Sequence, residues 1–435
     1  MRDLMVGMAM LALVWLAFTN TFIAFLVWGW AGLISIQSYT YGFISGIPLV
    51  QVFALITLSL VLLNKDSHQN KWKFNATLIL YSILAIQVIL SASFAYSGVS
   101  RNWEFGTNIL KTLLFCGLMP MLLSSRLRIH AFVMMVVLGV AFHGIVDGLK
   151  FISSGGSHLA RGIVKYGDNN HYALIIAMVM PLILYIYLYT EKRIVKMAFL
   201  ALLFLNIFAV VSTQSRGGLL CLISLAVWTI YHSKRKLLGI FALMICTVTI
   251  LALAPDSWSA RMSTINSAEQ DGSFMTRVAA WKKSTAIALE NPLLGGGFHA
   301  VQAPNLADQF NHKQGLLGFL DTPYPYNYAA HSIYFETMGD MGFVGFFILI
   351  MVFFNSYFIY RKIKAIALNG IVDVHWAADL ASLLMASIFV FAVGGSLLSA
   401  AYFELPYILF MLMQVVKIEV ERELKAAKPE DLSQN

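Results

Sequence analysis

Charge is what this chain has least of. Asp, Glu, Lys and Arg make up 12% of its 435 residues, against about 25% in a soluble globular domain. So little polar side chain excludes a soluble enzyme and an extended disordered chain. The net charge of +8 comes without a basic motif and does not point to nucleic acid. Cysteine is scarce as well. Cys116, Cys221 and Cys246 each sit inside an apolar run, which argues against a disulfide framework or a cysteine metal cluster and for small core residues. There is no His-Glu-x-x-His, no metal-type histidine pairing, no outer-side Asp-x-Asp, no Walker loop and no serine-hydrolase elbow. Each of those motifs needs a fixed constellation that is absent here, so neither a metal nor another cofactor is expected.

Apolar residues are abundant, at 59%, and they come in runs long enough to cross a ~30 Å hydrocarbon layer at ~1.5 Å per residue. Blocks fall near residues 4–36, 45–63, 75–94, 106–123, 130–151, 171–190, 195–212, 217–232, 237–254, 331–358, 376–396 and 403–418. The pattern predicts an all-α polytopic membrane protein of about 12 transmembrane helices. The first block is too long for one simple helix, and Thr19-Asn20-Thr21 suggests a break within it. Met1-Arg2-Asp3 precedes it without a small-x-small cleavage site, as in a retained first span. The expected organisation is a transmembrane bundle over 1–254, a large periplasmic loop over 255–330, C-terminal transmembrane helices over 331–418 and a cytoplasmic tail over 419–435.

Basic residues sort onto alternate loops. Arg2 is followed by Lys65, Lys71 and Lys73, then Arg126 and Arg128, then Lys192, Arg193 and Lys196, then Lys234, Arg235 and Lys236. Arg361, Lys362 and Lys364 are expected in a loop after residue 358, and Lys417, Arg422, Lys425 and Lys428 lie in the tail. The positive-inside rule makes that side cytoplasmic, with both termini inside. The opposite side carries two longer segments, 152–170 and 255–330. In the second, Ser273 to Leu289 reads as an amphipathic helix with Phe274, Val278, Trp281 and Ile287 on one side.

The outer side also holds the residues with chemical potential. Arg216, in Gln214-Ser215-Arg216-Gly217-Gly218, sits between two apolar helices, where a cation is costly unless it faces a polar cavity or an anion. Snorkelling to headgroups is the alternative. His331 opens the next long apolar run, and imidazole is suited to proton abstraction near neutrality; an interfacial histidine bonded to a loop carbonyl is the alternative. Arg277 lies one turn before Trp281, followed by Lys282 and Lys283, which read as a solvated face. Gly295-Gly296-Gly297 could form an anion-binding nest or a flexible turn. Glycines 339, 342 and 345 would smooth a helix face for packing. The 152–170 loop adds Arg161, Lys165, Tyr166 and Asp168-Asn169-Asn170-His171, with Asp168 or Asn169 as helix cap. Arg101 is one further outer cation. Asp147 and His143, one turn apart, could form a proton path or simply lie near a helix end. Arginines with one histidine and no clustered carboxylates suit a phosphate or diphosphate substrate, because guanidinium binds such groups bidentately and stabilises a leaving phosphate.

Gln214-Ser215-Arg216-Gly217-Gly218, then Arg277…Trp281 with Pro292-Leu293-Leu294-Gly295-Gly296-Gly297, then Ala330-His331-Ser332…Gly342-Phe343-Val344-Gly345, resemble the O-antigen ligase and polymerase superfamily in order and spacing. The sequence is also similar to the O-glycosylation ligases found beside exosortase systems. The resemblance implies a metal-independent, inverting glycosyltransferase in the bacterial inner membrane, working at its periplasmic face. It implies a donor glycan on undecaprenyl diphosphate and, for the ligase, a lipid A–core oligosaccharide acceptor. Carried onto this chain, Arg216 and Arg277 hold the diphosphate and His331 removes or orients the acceptor proton. Arg161, Lys165, Arg101 and Gly296 are candidate further substrate contacts by their own chemistry and their place on the outer side. A polymerase or a protein O-oligosaccharyltransferase would share the donor chemistry. A transporter for an anionic lipid is the alternative from another class, but the twofold halves typical of such proteins are not evident.

Overall fold

A computed structural model describes residues 2–63, 74–96, 98–162, 165, 167–232, 272–310, 315–320, 322 and 328–427. Among them the protein is all-helical. The main helices are α1 (Arg2–Thr19), α2 (Thr21–Ile34), α3 (Leu49–Leu62), α4 (Ala76–Ser93), α5 (Val99–Leu122), α6 (Arg126–Ser153), α7 (Asn169–Tyr189), α8 (Arg193–Ser212), α9 (Arg216–His232), α10 (Gly272–Glu290), α11 (Ile333–Leu368), α12 (His375–Gly394) and α13 (Glu404–Ala427), with a single helical turn at Ala307–Phe310 and short 3₁₀ turns between some of them. Eight of these, α1, α4–α8, α11 and α12, are long and apolar enough to cross a membrane, and α2, α3 and α9 are shorter apolar helices. The expected span at 237–254 lies outside the described residues, as does Cys246, while Cys116 and Cys221 are buried free thiols.

The 4–36 block is two helices. Asn20 caps the second, its side-chain oxygen accepting from the N–H groups of Phe22 (2.8 Å) and Ile23 (3.3 Å), a cap whose loss typically costs about 1 kcal/mol. The basic cluster at 361–364 is not in a loop, because α11 continues to Leu368. Lys362 there pairs with Glu421 of α13 at 2.6 Å, and Arg422 donates to the Ser124 carbonyl. The basic residues of the 123–128 turn, the end of α11 and the end of α13 therefore share one end of the bundle.

The centre is α7, buried continuously from Tyr172 to Ile183, as befits a helix that is apolar on every side. Helices α6, α8, α9 and α12 pack around it. Helix–helix association in lipid relies on close backbone approach, and Gly148 of α6 provides it: a Cβ there would lie 2.2 Å from the Leu205 carbonyl oxygen of α8. The span α11 is broken at Gly342, where φ is 67°. The following N–H, of Phe343, donates to the Pro292 carbonyl at 2.9 Å, so the break is satisfied by the loop laid against it. Glycines 339 and 342 thus serve contact with the 284–301 region rather than packing between two spans.

Candidate active site

The segment after α10 and the start of α11 are built together. Helix α10 matches the expected amphipathic helix to within a residue at each end, and buries Val278, Ala280 and Ile287. Ala280, Ala286 and Ile287 form a small core with Ala300, Val301, Ala303, Leu306 and Phe310. Trp281 locks α10 to α11: its indole N–H donates to the Ala330 carbonyl at 2.7 Å, and its ring stacks on Phe335 at 5.0 Å. That carbonyl immediately precedes His331. The lock sets Arg277, one turn earlier on α10, beside the histidine.

His331 does not open the helix, which begins at Ile333 behind an extended Ser332. Instead His331 occupies the left-handed region, with φ 45°, a conformation that costs a non-glycine residue about 1–3 kcal/mol and persists only where surroundings enforce it. Its N–H donates to Ser399 Oγ at 2.9 Å, while its ring Nδ1 has no hydrogen-bond partner among the described residues. Burial, then the charges of Arg277 and His171, hold its pKa below the ordinary histidine value against the opposing pull of Asp168. The ring is therefore neutral at neutral pH, the state a general base requires.

Arg216 begins α9, half-buried, after a turn in which Gln214 is left-handed at φ 51°. Ser215 caps α9, its Oγ accepting from the Gly218 N–H at 2.9 Å and donating to Asn170 Oδ1 at 2.7 Å. Asn169 donates to the Thr213 carbonyl at 2.8 Å. The arginine turn is thereby fixed to the N-terminus of α7. Asp168 caps that terminus, accepting from the N–H groups of Asn170 and His171, each at 2.9 Å. Although burial opposes it, the hydrogen bonds from His171 hold the Asp168 carboxyl well below the usual range. His171 in turn donates from Nε2 to the Ser399 carbonyl at 3.0 Å. The turn bearing Arg216 and the turn bearing His331 are thus tied to one platform, the start of α7 with Ser399.

The remaining candidates stand elsewhere. Arg161 is exposed, next to Ala160, whose N–H donates to the Ser212 carbonyl at 3.0 Å. Lys165 pairs with Glu404 and also donates to the Gly32 carbonyl. Arg101 lies 5.7 Å above the Phe105 ring, near His299 rather than His331. Gly296 is buried and donates its N–H to the Gly339 carbonyl at 2.9 Å, and Gly297 donates to the Asp340 carbonyl at 3.0 Å. These N–H groups face α11, so the triple glycine is a close-packing element and its nest-like role finds no support in the geometry. Lys283, expected to be solvated, is 2% exposed, and burial lowers its pKa to about 8. His143 and Asp147 have separate partners, Tyr39 for the first and His158 with Tyr172 for the second.

Three features were not visible as a site in the sequence. The Asp168–His171–Ser399 chain was hidden behind the ordinary capping role of Asp168. Glu336 and Asp340, one turn apart in α11, are both buried; Glu336 accepts from the Ala401 N–H at 3.0 Å and Asp340 from Tyr402 Oη at 2.9 Å. Two carboxylates in an apolar span are a signal in themselves. The third is a chamber of about 890 Å³, within the ~300–1,000 Å³ of ligand pockets. Trp28, Leu55, Leu58, Leu114 and Phe115 give it apolar walls, and Lys111, Lys165, His299, Glu336, Ser399 and Glu404 contribute polar groups. Leu55 and Leu114 among its walls are exposed, so its mouth opens at the apolar outside of the bundle. Among the described residues no three His, Cys, Asp or Glu side chains are grouped to hold a metal ion.

Comparison with known families bears on the same residues. Residues 1–192 match a family of unknown function. No curated protein matches the chain. Residues 199–350 match the family described as O-antigen ligase, a stretch running from α8 into α11 that contains Arg216, Arg277 and His331. That stretch, about a third of the chain, is what resembles the O-antigen ligase family, in a protein with eight helices long and apolar enough to cross a membrane among its described residues.

Proposed function

We propose that the protein is an inverting, metal-independent glycosyltransferase that moves O-antigen glycan from undecaprenyl diphosphate to lipid A–core oligosaccharide. It works at the periplasmic face of the bacterial inner membrane, with both termini cytoplasmic and residues 255–330 on the periplasmic side. The observation that carries this reading is the neutral, strained His331 beside Arg277, on the platform that also holds the Arg216 turn. In the reaction the acceptor hydroxyl oxygen attacks the anomeric carbon, the bond from that carbon to the diphosphate oxygen breaks, and the hydroxyl proton passes to His331. Arg216 and Arg277 bind the diphosphate and stabilise the charge that gathers on it, so the leaving group needs no general acid. The membrane-facing chamber is suited to the slender isoprenoid chain of the donor.

The test is reconstitution of the purified full chain with undecaprenyl-diphosphate glycan, rough lipopolysaccharide and EDTA. Glycan on lipopolysaccharide is the expected product. Longer glycans on the carrier would identify a polymerase, and movement of intact donor across vesicles without a new glycosidic bond would identify a transporter.

A further inference from the structure

We propose that His171 and Ser399 are positioning residues that hold His331 in its working conformation, a role that rests on the catalytic reading of His331 given above. His331 is left-handed, a state uncommon for residues other than glycine, though less so for histidine than for most. The restraint comes from outside its helix. Ser399 lies in the segment between α12 and α13, and it makes two different contacts with its two oxygens. Its hydroxyl accepts from the His331 N–H at 2.9 Å, and its carbonyl accepts from His171 Nε2 at 3.0 Å. The other ring nitrogen of His171 lies 2.8 Å from Asp168 Oδ1, and Phe403 packs against the same ring at 5.2 Å. The imidazole of His171 is therefore oriented from both ends, and it fixes the peptide that carries Ser399. Ala401, two residues on, is held by Glu336, so the short segment is anchored at two points, the Ser399 carbonyl and the Ala401 N–H.

The consequence is a linear chain, Asp168 to His171 to Ser399 to His331, running from the start of α7 to the start of α11. Its elements come from positions 168, 171, 399 and 331; His331 is the one proposed to meet the reacting atoms, and Ser399 also lines the chamber proposed for the lipid chain. Losing a link lets His331 relax toward an ordinary backbone conformation and moves its ring away from Arg277. A displacement of about 1 Å at a reacting group costs on the order of 100-fold in rate, while a donor bound through arginines keeps its affinity.

The experiment is a double-mutant cycle on the purified full chain, with undecaprenyl-diphosphate glycan and rough lipopolysaccharide as substrates and wild type and His331→Ala as references. His171→Ala and Ser399→Ala should each lower kcat about 100-fold and leave KM for the donor within about threefold. The pair together should be no worse than the poorer single variant, because both break one chain. His171→Gln, which retains a donor toward the Ser399 carbonyl, and Ser399→Thr, which retains the hydroxyl, should each recover at least tenfold of the loss. Ser399→Ala removes one oxygen atom and keeps the test open should His171→Ala not fold. Multiplying losses in the double variant, a KM effect without a kcat effect, or wild-type kcat in Ser399→Ala overturns the positioning role while leaving the catalytic reading in place. An active His331→Ala overturns both, and is recognised because it involves neither His171 nor Ser399.

Discussion

Among the described residues two turns carry a left-handed histidine, and they differ in what surrounds the ring. His299, at φ 55°, packs at 4.2 Å against Phe105, and burial with the nearby Arg101 lowers its pKa to about 4. His331 is also strained and also kept neutral, but its cationic neighbour is Arg277, and its backbone is held by Ser399. Strain and a depressed pKa are therefore common to both histidines and do not by themselves tell them apart. What separates the two turns is company: His331 shares its platform with the Arg216 turn, whereas His299 belongs to the wall of the chamber.

The sharpest way to break the comparison is to remove each ring in turn. His331→Ala should lower transfer by about 10²–10⁴-fold, the span of a lost general base, and His299→Ala by less than about tenfold; equal losses measured on purified protein would dissolve the distinction. Arg277→Ala and Arg216→Ala should each cost about 10²–10³-fold, as for a removed stabiliser of leaving-group charge, with Arg101→Ala far milder in the same assay. A pH profile sharpens the comparison further. Burial and Arg277 both disfavour the charged form of His331, so the free base persists to lower pH than for an ordinary histidine. The acid limb of kcat should lie below about pH 6.5, with rate lost as pH falls through it; a limb at pH 7 or above contradicts the environment described for that ring.

Smaller effects concern the scaffold. Gly295→Ala sets a Cβ 2.5 Å from the Gly342 nitrogen and 2.6 Å from the Asp340 carbonyl, at φ 67°. Backbone atoms cannot yield as side chains do, so it should destabilise by about 1–3 kcal/mol, read as a lowered Tm in detergent. Lys282→Ala should change neither Tm nor rate measurably, since it removes a single exposed contact to the Leu320 carbonyl.

Helix positions were legible because apolar periodicity and length report directly on lipid contact. The break at Asn20, the α10 helix and the Asp168 cap were all readable, since each depends on neighbouring residues. Lys283 was misread as solvated because helical spacing does not show which neighbours cover a face. The end of α11 was misread because Arg361, Lys362 and Lys364 can continue a helix as readily as end one. The triple glycine suggested an anion site, but the N–H groups of Gly296 and Gly297 meet α11, a partner more than 40 positions away, and that of Gly295 turns back to Asn291.

By itself the sequence determined a helical protein with many apolar segments and sparse charge, and singled out one histidine at the start of a long apolar run, because burial of apolar surface and the cost of membrane charge are written in composition and order. Only the tertiary structure decided which cations accompany the histidine, and that Asp168, His171 and Ser399 support it. Hydrogen bonds between residues 228 positions apart, as between His171 and Ser399, leave no local pattern, and backbone strain at position 331 exists only once the distant segment that enforces it has folded into place.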